Sequence, residues 1–142
     1  MATPIKEYRL IDRLWRAKYG TRDRQRQLID DESERVRVTL AMYGTPSTQM
    51  KMAQDTSPQV RETLARYGSK TTQQLLLHDP DWRVRRELAL YGDASIKEAL
   101  ADDPHNDVQV ALQDLGSQKV ADERSQEHNQ EVIKIKEIRN DK

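Results

Sequence analysis

Few residues in this chain have types and spacings suited to chemistry. It holds three histidines, His78, His105 and His128, and no cysteine. Thiolate nucleophiles and a disulfide framework are therefore excluded. The runs His78-Asp79-Pro80-Asp81 and Asp102-Asp103-Pro104-His105-Asn106-Asp107 look like ligand clusters. Their spacing matches no known ligand set. Aspartate also belongs at a helix start, where it caps free N–H groups and meets the helix dipole. No metal site is expected. No phosphate-binding glycine loop and no nucleophile motif occurs. The expectation is a chain that is not an enzyme and carries no cofactor.

Charge offers a second kind of chemistry. The 24 Lys and Arg balance the 24 Asp and Glu, but unevenly along the chain. Residues 1–92 are net basic, and residues 93–142 are net acidic. The N-terminal stretch carries Arg9, Arg13, Arg16, Arg22, Arg24 and Arg26, with Tyr8, Trp15 and Tyr19 interleaved. Such a stretch can meet phosphates or an acidic protein surface. Zero net charge and a pI near 6.8 do not make a nucleic-acid footprint. Nucleic-acid binding through this end is thus the alternative reading, and aromatics packed on the first repeat are the structural one. No apolar run is long enough to cross a membrane, and no signal-peptide segment opens the chain. A cytoplasmic location is expected.

The elements that must position these residues are set by a period. The five glycines, Gly20, Gly44, Gly68, Gly92 and Gly116, are each 24 residues apart. Tyr19, Tyr43, Tyr67 and Tyr91 directly precede four of them. A fixed period of this size marks a repeat array. The spacing predicts one helical-repeat domain over 1–142. A cap helix occupies 1–20, four repeats occupy 21–44, 45–68, 69–92 and 93–116, and a degenerate repeat occupies 117–142.

Thr3-Pro4 reads as the start of the cap helix, and Tyr8, Ile11, Trp15 and Tyr19 as its apolar face. Thr21, Thr45, Ser69 and Asp93 are N-caps for a short first helix, α or 3₁₀, that buries Leu28, Met52, Leu76 or Leu100. Asp31, Asp55, Asp79 and Asp103 form an acidic column at the next helix start. In the last two, proline follows, a cap-then-proline start. The second helix buries Val36, Val60, Val84 and Val108 and, one turn on, Leu40, Leu64, Leu88 and Leu112. Ala41, Ala65 and Ala89 allow close packing. The glycine that closes each unit is expected in a left-handed conformation. Beyond the repeats, the polar stretch 118–131 reads as loose, and Val132, Ile135 and Ile138 as a helix capping the open end.

The unit D-P-D-x-x-V-R-x-x-L-A, seen in residues 79–89, resembles the leucine-rich repeat variant and the wider HEAT-like family. The resemblance covers residues 21–116. It implies a right-handed α-solenoid of paired helices that binds other macromolecules, as an adaptor, scaffold or inhibitor. It also implies that Asp31, Asp55, Asp79 and Asp103 bond to Arg37, Arg61 and Arg85 between neighbouring units, with Gln109 breaking the last rung. Some variant-repeat proteins hold a cysteine-ligated iron–sulfur cluster, which this cysteine-free chain cannot.

The second helix also points two columns away from its core valine, by about 160° and 200° at about 100° per residue. One column reads Glu34, Pro58, Trp82, Asn106, and the other Val38, Glu62, Arg86, Val110. Trp82, Val38 and Val110, with Arg86 and Arg66, are the candidate partner-binding residues. The partner expected is a protein, and the basic balance of residues 1–92 suits an acidic one. For Trp82 there is a second reading, in which it lies flat over the neighbouring unit's helix start.

Overall fold

The computed structural model describes residues 5–139, and for 5–8, 115–121 and 139 it describes the backbone alone. Among the described residues the chain is all-α, with no strand. The helices are α1 (Ile5–Tyr19), α2 (Arg22–Arg26), α3 (Glu34–Tyr43), α4 (Pro46–Lys51), α5 (Pro58–Tyr67), α6 (Lys70–Leu75), α7 (Trp82–Tyr91), α8 (Ala94–Ala99), α9 (Asn106–Gln113) and α10 (Leu115–Arg139). The expected Thr3-Pro4 start lies outside the described residues.

Each unit is a short helix followed by a longer one. Thr21, Thr45, Ser69 and Asp93 cap the short helices, each side chain accepting the N–H three residues on. The short helices are α-helical and finish in tighter i to i+3 bonds, such as Met52 N–H to the Gln49 carbonyl at 3.0 Å. The longer helices pack side by side, α1 on α3, α3 on α5, α5 on α7 and α7 on α9. One core runs through them all. Val36, Val60, Val84 and Val108 are fully buried, as are Leu40, Leu64 and Leu88. Leu28, Met52, Leu76 and Leu100 close it from the short-helix side. Leu112, at the end, is only partly buried.

The first helix departs from expectation. Ala17 is its fully buried residue, with Leu10 and Leu14 packed on the core. Ile11 and Trp15 face outward, at 62% and 55% exposure. The reason is register. α1 matches the second helix of the units 24 residues on, but it carries polar residues where those helices have the Val and Leu columns. Asp12 and Arg16 fill those two positions and pair with each other at 3.1 Å.

The aspartate column does not cap the longer helices. Ser33, Ser57, Asp81 and His105 occupy that position. The column lies two residues earlier, where Oδ1 of Asp31, Asp55, Asp79 and Asp103 accepts the N–H of the cap residue at 2.9 Å. The cap-then-proline start is therefore absent at Asp79 and Asp103. It occurs instead at Ser57, with Pro58 opening α5.

The glycines are not left-handed. Gly44, Gly68 and Gly92 have φ of −68°, −70° and −72°. Space is what selects them. A Cβ on Gly68 would lie 2.3 Å from the Leu64 carbonyl oxygen, and one on Gly92 2.3 Å from the Ile96 side chain. The next short helix crosses directly over the glycine. The last unit closes differently, because α9 stops at Gln113 and Gly116 falls inside α10.

The C-terminal segment differs most. Residues 115–139 form one continuous helix, including the stretch expected to be loose. It does not cap the open end but runs back along the array, touching α7, α5 and α1. Ser125, His128, Val132 and Ile135 form its inward stripe, at successive steps of three or four residues.

Candidate functional site

The Arg–Asp ladder uses charge for construction. Arg37 Nε reaches Asp55 at 2.9 Å, Arg61 reaches Asp79 at 2.8 Å, and Arg85 reaches Asp103 at 2.6 Å. Each arginine also donates from Nη1 to its own unit's aspartate carbonyl, 2.7 Å away. Arg13 extends the ladder one step into α1, reaching Asp31 at 2.8 Å. Gln109 keeps the bond to the Asp103 carbonyl at 2.9 Å and reaches no carboxylate. Burial would raise the carboxyl pKa of Asp103, but the bonds from Arg85 and from the His105 N–H outweigh it and hold the group below the usual range. These arginines are tied down within the fold.

A second ladder went unread in the sequence. Gln25, Gln49 and Gln73 recur every 24 residues and are buried. Their Nε2 groups donate to the Ala17, Ala41 and Ala65 carbonyls at 2.9, 3.0 and 2.9 Å, satisfying helix ends. The period itself carried the signal.

The histidines serve three separate roles. His78 is exposed. His105 caps α9, its Nδ1 accepting the Asp107 N–H at 3.2 Å. His128, on the inward face of α10, is buried against Tyr43 and Tyr67. Among the described residues no group of three His, Cys, Asp or Glu could hold a metal ion.

The predicted partner-binding residues divide between surfaces. Trp82 is half-buried against the core, and its ring stacks on His105 at 4.3 Å and 7°. This is the flat placement over the neighbouring helix start. Arg86 sits over the Trp82 ring at 5.4 Å. Val110 is exposed on α9. Val38 is partly buried in a groove, and Arg66 lies beneath α10. Of the basic N-terminal residues, Arg13 and Arg16 are ion-paired within the fold, while Arg9, Arg22, Arg24 and Arg26 are exposed.

The groove containing Val38 runs between α1 and α3. It holds 590 Å³ and is lined by Ile11, Leu14, Trp15, Tyr19, Val38 and Arg35, among others. Trp15 packs against Tyr19 at 5.5 Å and is otherwise largely open to solvent.

A second face carries the tyrosine column, and α10 covers it. The His128 ring sits between Tyr43 at 5.4 Å and Tyr67 at 4.4 Å, and its Nε2 donates to the Met42 carbonyl at 2.8 Å. Burial lowers the pKa of His128, and the Met42 bond and Glu131 offset this only in part. Glu131 bonds Lys18 at 3.1 Å and accepts from the Tyr43 hydroxyl at 3.4 Å. Burial alone would lower the pKa of Lys18, but Glu131 and the two tyrosines beside it outweigh this and hold it above its ordinary value. Arg66 donates to the Tyr91 hydroxyl and lies over the Tyr91 ring at 4.6 Å.

No family model, curated protein or solved structure matches this chain. Its function must be read from these surfaces. No helix among the described residues is long and apolar enough to cross a membrane. The groove is not legible in the sequence, where Ile11 and Trp15 share helical spacing with Tyr8 and Tyr19 and read as a buried face. The signal available in the sequence is the polar pair Asp12 and Arg16, which stand where the units 24 residues on have valine and leucine.

Proposed function

We propose that this chain is a non-catalytic protein-binding module, acting as an adaptor, scaffold or inhibitor in the cytoplasm. Its architecture on this reading is a right-handed α-solenoid of 24-residue two-helix units, similar to HEAT-like and leucine-rich repeat variant arrays. The side-by-side packing of successive long helices and the ladder rungs at a constant 18-residue step support that architecture. The observation that carries the binding role is the α1–α3 groove. Ile11 and Trp15 are large apolar residues left open beside Val38, where folding does not require them to be. Contiguous exposed apolar surface marks interaction sites, and tryptophan is strongly enriched among binding hot spots.

The test is a double substitution, Ile11→Ala with Trp15→Ala, in the full chain. Melting temperature should stay within a few degrees of the parent. Proteins captured from the source cell by the parent are identified by mass spectrometry, and the captured partner is then purified and titrated. Its affinity for the double variant should fall at least roughly tenfold. Unchanged affinity would remove the groove from the interface. Steeply salt-dependent binding to DNA or RNA, lost on substitution of Arg9, Arg22, Arg24 and Arg26, would favour the nucleic-acid alternative.

A further inference from the structure

The seam between α10 and the tyrosine column is open at its edges. Two solvent-open pockets flank His128. One of 320 Å³ is lined by Arg66, Tyr67, Lys70, Tyr91, Ser125 and His128, among others. The other, of 390 Å³, lies against Tyr43, Arg66, Glu127 and Glu131. Only His128 and Ile135 of α10's described side chains are buried.

The face beneath is polar in a directed way. Lys18 is held by α10's own Glu131. Arg66 takes part in none of the ion pairs found among the described residues, and its Nε is buried with no acceptor. A buried donor without an acceptor is costly and is normally satisfied. Lys70 lies on the same wall and reaches Asp93 at 2.9 Å. The array thus presents Lys18, Arg66 and Lys70 to α10; Glu131 pairs with Lys18, Asp93 of the array pairs with Lys70, and no ion pair to Arg66 is found among the described residues.

We propose that the tyrosine face is a docking site for an acidic amphipathic helix of another protein, and that α10 is an intramolecular stand-in for it. The partner displaces α10, places one carboxylate on Lys18 as Glu131 does, and places another on Arg66 where α10 has Ser125. Its other polar residues occupy the two open pockets beside His128, which are lined mainly by polar and charged side chains. The proposal rests on the protein-binding reading and extends it to a second face. The groove test depends on Ile11 and Trp15, so the two can fail separately.

The experiment uses the full chain and a fluorescein-labelled synthetic peptide of residues 115–139. The peptide is made in its native sequence and with Ser125→Glu, and binding is followed by anisotropy at low salt. His128→Ala with Glu131→Lys frees α10 in the protein. If that pair fails to fold, His128→Ala alone serves. The freed chain should bind native peptide at least about tenfold tighter than the parent does. The Ser125→Glu peptide should bind about tenfold tighter again, and Arg66→Ala in the protein should abolish that gain. Equal binding by parent and freed chain overturns the displacement. A Ser125→Glu gain that is missing, or that survives Arg66→Ala, overturns the carboxylate site. A single-stranded oligonucleotide that displaces the peptide at lower concentration than an acidic peptide would assign the face to phosphates instead.

Discussion

Gly68 carries two constraints that look alike in sequence and differ in physics. A left-handed cap needs glycine for its φ, whereas this one needs it for clearance from the Leu64 carbonyl and the Thr72 side chain. Gly68→Ala should therefore cost about 1–3 kcal/mol, as overpacking does. Gly68→Asn should cost at least as much, although asparagine suits a left-handed cap. Chemical denaturation of both variants decides it, since an asparagine milder than alanine would restore the left-handed cap. Trp82 is the other residue whose place the sequence left open. Its column and its type point to an interface and its size to the scaffold in equal measure, and only the structure shows the ring lying flat on His105. We expect Trp82→Ala to cost about 2 kcal/mol, less than a fully buried aromatic would, and to lower the melting temperature by roughly 4–8 °C. A melting temperature within a degree of the parent would return Trp82 to the interface.

At the scale of the element, the ladder and α10 show opposite degrees of legibility. The ladder is written into the period, because one residue per column recurs every 24 positions. Its geometry also sets its strength, since the Arg61 and Asp79 side chains retain only 13% and 4% exposure. Arg61→Ala should cost about 3 kcal/mol, as removal of one partner from a buried pair does. Arg61→Lys should recover little, because lysine cannot span the carboxylate and the Asp55 carbonyl with one planar fork. Full recovery by lysine would mean that charge alone matters. The path of α10 has no such record. Its contacts fall on residues of three different units, and its inward stripe of Ser125, His128, Val132 and Ile135 is too polar to stand out as an apolar face.

His128 makes that docking sensitive to pH. Tyr43, Tyr67 and the Met42 carbonyl face it from the array, with Glu131 on its own helix and Arg66, Arg124 and Glu127 around the adjoining cavity. Burial holds its pKa below the free value of about 6.5. Above that value the docked and released forms are both neutral, and docking is at full strength. As pH falls through that range the released form takes up a proton first, and docking weakens. Hydrogen-exchange protection over residues 125–138, corrected for intrinsic rates, should fall between pH 7.5 and pH 5.5. His128→Gln should remove the dependence. Equal protection at both pH values would show that His128 does not control the helix.

At the scale of the whole molecule, the period gives the order of packing but not the ends. Successive long helices pack on one another, so a position is worth what its neighbours supply. α1 meets this with Asp12 and Arg16 where inner units have valine and leucine, a substitution readable once α1 is aligned to the period. The far end is softer, for Leu112 is only partly buried while Leu64 is fully enclosed. Leu64→Ala should cost about 2–5 kcal/mol, the range for a buried leucine. Leu112→Ala, the same truncation in the same column, should cost less than half of that. Thermal unfolding followed by circular dichroism measures both. If stability is shared out between neighbours, Leu64→Ala lowers the melting temperature of the entire helical signal, while Leu112→Ala mainly frays the final unit. Equal losses at the two sites would mean that the chain unfolds as a single block, with no distinction between its middle and its end.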